Sequence, residues 1–267
     1  MKVFIKIIFS LLLIPFLFLT SGCSSSGSQS TANTTSNSDY NVDELNSYGE
    51  WVEINNYGRG WHPYVVNGWM PFDNGHWVYA DGGNWTWASY EPFGWVVYHY
   101  GSWYDDPFYG WVWVPSNGIW TPANVTWINY GDYVGWAPLG PRGVVYGRPW
   151  EANQGRYWHV VRNSDFTNNN IREYRVMNPI RNENDNREVF NKLPDRQAIE
   201  RTTGKPITVV KIQRENVKLP NRQIQKINLP PQEKEKVEQN APRVKKDVLL
   251  PKEEFHKQQS VRNNRKK

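Results

Sequence analysis

The sequence predicts an all-β protein: tandem antiparallel β-hairpin repeats of period 26 with an aromatic core, then a small helix-strand piece and a largely disordered basic tail. Three observations carry this. All fifteen tryptophans lie between Trp51 and Trp158, and many recur every 26 residues. Trp51, Trp77 and Trp103 form one series, Trp61, Trp87 and Trp113 a second, Trp85 and Trp111 a third, and Trp69 and Trp95 a fourth. Fixed-period self-similarity marks a duplicated unit. Short β-type runs alternate with Gly, Asn, Asp and Pro turn signals, and no stretch of this region has a helical period with caps.

The chain opens with Lys2 and Lys6 ahead of an apolar run from Ile7 to Leu19, a length suited to an export signal and short for a membrane span. Leu19-Thr20-Ser21-Gly22-Cys23 follows, with the chain's single cysteine. This segment resembles the lipobox of bacterial lipoproteins, with Thr20 where leucine is usual. The resemblance implies cleavage after residue 22 and a diacylglycerol thioether on Cys23. Such a protein keeps no thiol, so no disulfide holds its fold and no cysteine serves as nucleophile or metal ligand. Ser24 after the cysteine implies, by resemblance to Gram-negative sorting rules, the outer membrane. Residues 23–43, rich in Ser, Thr, Asn and Gly, form a flexible tether.

Residues 44–165 make the aromatic body. Three units run Tyr48–Asp73, Asn74–His99 and Tyr100–Val125, each opening on Gly-x-Trp at Gly49, Gly75 and Gly101. A degraded fourth copy runs from Tyr130 to Trp136. In the second unit Asp81-Gly82-Gly83-Asn84 is a tight-turn signal. Taking Gly82-Gly83 as the two central residues pairs Ala80 with Trp85 and Val78 with Trp87. Trp77 and Tyr79 then face away from Trp85 and Trp87, and both faces of the ribbon are aromatic. The third unit turns at Asp105-Asp106-Pro107, the first near Asn55 to Gly58. A hairpin apolar on both faces is stable only when stacked on neighbours. Residues 48–158 hold 31 aromatics against 17 Val, Ile, Leu and Met, so the core is mostly ring on ring.

Glu91-Pro92-Phe93-Gly94-Trp95, Tyr98-His99-Tyr100-Gly101-Ser102-Trp103, Tyr109-Gly110-Trp111-Val112-Trp113-Val114-Pro115 and Gly135-Trp136-Ala137-Pro138-Leu139 resemble a family of bacterial envelope lipoproteins. Its members carry Trp/Tyr/Gly-rich repeats of the Y-x-W-G-x-W type and have no established function. The resemblance covers about residues 44–150 and implies an exported, non-enzymatic repeat domain.

Residues 166–212 read as irregular with two short elements. Asp195 caps a helix to Thr203, stopped by Gly204, and Thr208–Ile212 is a β-run. Residues 213–267 are basic and Pro-rich, and their composition predicts disorder. Val217-Lys218-Leu219-Pro220, Ile227-Asn228-Leu229-Pro230 and Val248-Leu249-Leu250-Pro251 are beads that could add strands to a partner. Charge divides at the same boundary: Ser24–Thr167 carries five Arg, no Lys and 13 carboxylates, whereas Asn168–Lys267 carries 24 Lys and Arg against 13. A basic tail in this compartment points to peptidoglycan or lipopolysaccharide, not nucleic acid.

No catalytic motif emerges. The five histidines show no metal-ligand spacing, and no cofactor or metal is implied. Asp81, Asp105 and Asp106 fall in turns, where Asp serves the backbone, and with Glu91 give no convincing glycosidase pair. The tryptophans have two readings, a core that is aromatic or a row of exposed rings that stack on sugars. A one-layer array cannot cover both faces of every hairpin, so some rings stay exposed. Trp85, Trp87, Trp111 and Trp113 are the candidate glycan-stacking residues. The sequence thus reads as a non-enzymatic lipoprotein of the outer membrane facing the periplasm, a structural or binding module; the alternative is a carbohydrate-binding protein. Oligomeric state is not legible.

Overall fold

Four hairpins carry the body, and each sets a tryptophan of one strand directly opposite a tryptophan of the next. The computed structural model describes residues 43–148, 151, 155–177, 191–219 and 222–264. Cys23, the signal segment and the tether up to residue 42 lie outside the described residues. A helical turn, α1 (Asp43–Asn46), leads into β1 (Gly49–Ile54) and β2 (Gly58–Pro63). The second hairpin is β3 (Gly75–Ala80) with β4 (Trp85–Ser89), the third β5 (Gly101–Asp106) with β6 (Gly110–Pro115), and the fourth β7 (Val125–Tyr130) with β8 (Tyr133–Pro138). The opposed pairs are Trp51 with Trp61, Trp77 with Trp87, Trp103 with Trp113 and Trp127 with Trp136.

The Gly-x-Trp opening has a steric cause. A Cβ on Gly75 would stand 2.5 Å from the Ala88 carbonyl oxygen and 2.6 Å from the Trp87 indole. Gly49 meets His62 and Trp61 in the same way, and Gly101 meets Val114 and Trp113. The indole of the second strand lies over the start of the first, and only glycine leaves room for it.

The register corrects the sequence expectation. Tyr79 stands opposite Trp85 and Trp77 opposite Trp87, and the Ala80 N–H donates to the Asn84 carbonyl at 2.9 Å. The loop therefore has three residues, Asp81-Gly82-Gly83, with Gly83 at φ 77°, the arrangement that takes glycine at its last position. The third hairpin closes Asp106 on Gly110 across Pro107-Phe108-Tyr109, two residues beyond the expected turn. One residue of slip exchanges the faces of a strand. Trp77, Tyr79, Trp85 and Trp87 share one face, and Val78 and Ala88 lie on the other with Val210. The tryptophans of each ribbon lie on one side only.

That asymmetry decides the assembly. One-sided ribbons close around a common core rather than stacking in sequence order as a one-layer array. The first and third hairpins join edge to edge at Trp61 and Trp113, giving the sheet order β1-β2-β6-β5. The second leans on the fourth: Trp77 lies 4.5 Å from Trp127 and 5.5 Å from Trp136, centroid to centroid. Phe72 links the halves through Trp87 at 5.9 Å and Tyr98 at 4.5 Å. Such tilted and edge-on contacts each contribute about 0.5–1.5 kcal/mol beyond area burial. A short α2 (Gly94–Val97) connects the second and third hairpins, and β9 (His159–Arg162) extends the fourth as β7-β8-β9.

The expected helix is α3 (Arg196–Thr203), with the Asp195 side chain accepting from the Ala198 N–H and Gly204 at φ 66°. The β-run is β10 (Val209–Val210), parallel to β3. The expectation of a disordered tail is corrected. Residues beyond 212 form a hairpin, β11 (Gln213–Leu219) with β12 (Arg222–Asn228), and two helices, α4 (Pro231–Asp247) and α5 (Lys252–Asn264). Composition averages over a segment, whereas docking needs only a few apolar residues at the right spacing. Ile224, Val244, Val248 and Phe255 are such residues, each at most 2 % exposed. The third apolar-Pro bead docks on this chain itself through an isolated bridge: Leu249 pairs with Val65, the Val66 N–H donates to Val248 and the Leu250 N–H to Tyr64.

Candidate functional site

Three of the four tryptophans singled out for sugar stacking are core residues, a correction to the sequence reading. Trp85 is 2 % exposed, and Trp87 and Trp113 are fully buried. Trp85 donates its indole N–H to the Pro194 carbonyl at 2.9 Å and meets Phe166 edge-on. Trp87 and Trp113 are the second-strand partners that fill the space over Gly75 and Gly101. No face of these rings is available to a sugar.

Trp111 differs. It is partly exposed and lines a groove of about 390 Å³. Tyr146 and Tyr157 meet it at near-perpendicular angles, with centroids 5.5 and 5.8 Å away. The third hairpin supplies Asp105, Tyr109 and Trp111; the segment after β2 supplies Val65 to Met70; a 3-10 turn (Gly155–Tyr157) supplies Arg156 and Tyr157; α5 closes one wall with Phe255, Gln258, Gln259 and Arg262. Specific contacts seat that wall. Phe255 packs edge-on against His62, centroids 4.9 Å apart. Gln258 donates to the Val65 carbonyl and accepts from the Asn67 N–H. Arg262 donates to the Tyr109 carbonyl at 3.1 Å.

The polar groups of the groove are arranged in order. Tyr157 donates to Asp105 at 2.8 Å, and the Arg156 guanidinium donates to Tyr157 and stands 3.8 Å from Asp105. Burial, with help from the Arg262 charge, holds the His62 imidazole down to about 4, so the ring is neutral at pH 7. Its buried Nδ1 has no hydrogen-bond partner among the described residues.

The other partly exposed tryptophans are roofed by cations. Arg59 lies 4.9 Å from the Trp51 ring, Lys226 5.0 Å from Trp95 and Arg214 4.5 Å from Trp120. Two of these cations belong to the β11–β12 hairpin, so part of the tail's positive charge is spent on the body's own rings.

The body's remaining titratable groups hold structure. Glu91 is buried and accepts from the Trp69 indole at 2.6 Å, from Asn74 at 3.1 Å, from Ser89 at 3.2 Å and from Tyr98. Burial pushes its carboxyl up to about 7, against hydrogen bonds from Tyr98, Trp69 and Asn74. Buried Asp73 is neutralised by Arg172 at 3.1 Å and Arg175 at 2.8 Å. His99 and His159 donate to the Thr121 and Pro71 carbonyls, each at 2.9 Å. Burial holds both near 4. His76 meets Glu233 of α4 at 2.6 Å. Burial works against both charges there; His76 is held below its ordinary value, and hydrogen bonds from His76 and Lys236 still carry Glu233 below its own. Asp81 stays in a turn, exposed. Among the described residues no group of three or more His, Cys, Asp or Glu is placed to hold a metal ion.

Sequence reasoning missed His62, Arg156 and α5 as groove components. The first was read only as one of five unspaced histidines, and the last lay in the segment expected to be disordered. No curated protein and no solved structure matches the chain. Residues 42–143, the stretch that contains the four hairpins, match a family of unknown function, DUF6600.

Proposed function

We propose that this chain is a non-enzymatic lipoprotein, anchored through Cys23 in the outer membrane and facing the periplasm, whose body was built by duplicating a 26-residue hairpin unit. The first strands of the first three hairpins begin at Gly49, Gly75 and Gly101 with the same clash behind each glycine, which supports the duplication. A binding or structural role in the envelope is supported by how the titratable side chains are used. Glu91, Asp73, His99 and His159 are committed to hydrogen bonds and ion pairs that hold the fold.

The groove favours one binding class. It sets a partly exposed indole beside carboxylate, guanidinium and amide groups, the combination of apolar face and converging polar groups that a sugar ring requires. Carbohydrate binding at Trp111 is therefore the second reading, and the observation that carries it is the groove itself. The test is binding of the full chain to purified sacculi. Trp111→Ala should lower retention at least tenfold without shifting the melting temperature by more than a few degrees. Unchanged retention, together with loss when salt is raised, would assign binding to the basic tail. Palmitate labelling that survives Cys23→Ser would remove the anchor from the proposal.

A further inference from the structure

The groove's charge runs against that of the body around it. Ser24–Thr167 carries 13 carboxylates and five Arg, yet the groove is lined by Arg156, Arg262 and a single carboxylate, Asp105. Asp105 is already engaged, accepting from Tyr157 and lying within 3.8 Å of Arg156. Arg262 comes from α5, and among the described residues no carboxylate forms an ion pair with it. Its guanidinium is pinned rather than loose. It donates to the Tyr109 carbonyl, and it lies so close over Gly110 that a Cβ there would fall 2.8 Å from it. The Arg156 side chain is 68 % exposed, so its outer N–H groups face solvent at the groove. A neutral His62 with an unpartnered buried Nδ1 lines the same space, and buried polar atoms seldom go without a partner.

We infer that the groove selects a carboxylate-bearing sugar, its ring against Trp111 and its acid group drawn to Arg156 and Arg262. This rests on the carbohydrate reading of the groove and adds the class of sugar to it. Arginine is suited to the task because its planar fork matches a carboxylate with two parallel hydrogen bonds. The neutral sugar faces and hydroxyls fall to Trp111 and the side-chain amides of α5. The tail thus adds a second cation, Arg262, to the one the body supplies in Arg156.

The probes are two disaccharides that share the same ring skeleton. N-acetylglucosaminyl-N-acetylmuramic acid carries a carboxylate and N,N′-diacetylchitobiose does not. Calorimetry with the full chain at pH 7 should show the acidic disaccharide binding at least tenfold more tightly. Arg156→Gln changes an exposed side chain and should cut the preference several-fold, with melting followed to confirm that the fold is kept. Arg262→Gln should cut it further, with melting followed to confirm that α5 stays seated. Trp111→Ala should weaken both sugars. Equal affinity for the two disaccharides overturns the acid selectivity and leaves the carbohydrate reading standing. A preference that survives both arginine substitutions also overturns it. Binding of neither disaccharide removes both.

Discussion

The second and third hairpins place Trp85 and Trp111 at the same point of the same unit, one opposite Tyr79 and the other opposite Asp105. Trp85 is 2 % exposed beneath Pro194 and Phe166, whereas Trp111 lines an open groove with Tyr157 and α5. The hairpins themselves are alike, down to the glycine that makes room for the next indole. What differs is the segment that arrives from outside the hairpins. Local sequence builds the ribbon, and distant chain decides whether a given ring becomes core or surface.

The largest effects should break this comparison outright. Trp85→Ala deletes a buried indole with a satisfied N–H and should cost about 3–5 kcal/mol in urea or thermal melting. Trp111→Ala should cost under about 2 kcal/mol and show its effect in ligand binding instead. Equal costs would mean that Trp111 is structural and the groove incidental.

The next effect is in pH. Glu91 lies two residues past the end of the second hairpin, and the matching position past the third is the uncharged Asn117. Burial lifts the Glu91 carboxyl from its ordinary 4.5 up to about 7. The unfolded chain ionises first, so stability declines as pH rises from 4.5 through 7, by on the order of 3 kcal/mol. His62, His99 and His159 act in the opposite sense. Held near 4 against 6.5, they leave the unfolded chain binding more protons, and stability falls as pH drops from 6.5 toward 4. Three histidines outweigh one carboxyl across this window, so stability should rise from about pH 4 to 6.5 and level off above about pH 7. Glu91→Gln removes the opposing carboxyl and should steepen the rise between pH 4.5 and 7. An unaltered rise would mean that Glu91 is ionised in the fold.

Smaller effects sharpen the likeness of the two units. Gly75→Ala and Gly101→Ala meet the same backbone and indole atoms and should each cost about 1–3 kcal/mol, while Gly82→Ala, with open space around it, should cost little. A large difference between the first two would show that the units have diverged in their interior. Smallest of all, Lys226→Met and Arg214→Met should each remove about 0.5–1 kcal/mol of cation–ring attraction and speed hydrogen exchange in β11 and β12.

Legibility followed the range of the interactions. Gly-x-Trp and the turn residues identified the hairpins because both act within a unit. The register was misread because Asp81-Gly82-Gly83-Asn84 suits a two-residue and a three-residue loop alike, and one residue exchanges the faces. The packing order was not readable: it depends on Trp61 meeting Trp113, 52 residues apart in sequence. The docked tail was hidden by its composition, since Phe255 and Val244 are lone apolar residues among charges. Trp111 was named, but nothing local separates its Trp-x-Trp from that of Trp85, because the distinguishing neighbours lie at residues 155–157 and 255–262.

The bridge that Val248–Leu250 forms with Tyr64–Val66 ties a late segment to an early one. During synthesis the hairpins emerge well before their final wall, and the groove is unfinished until α5 has docked on them. Cleavage between α4 and α5 would sever that wall from the rest of the chain while leaving the aromatic interior continuous.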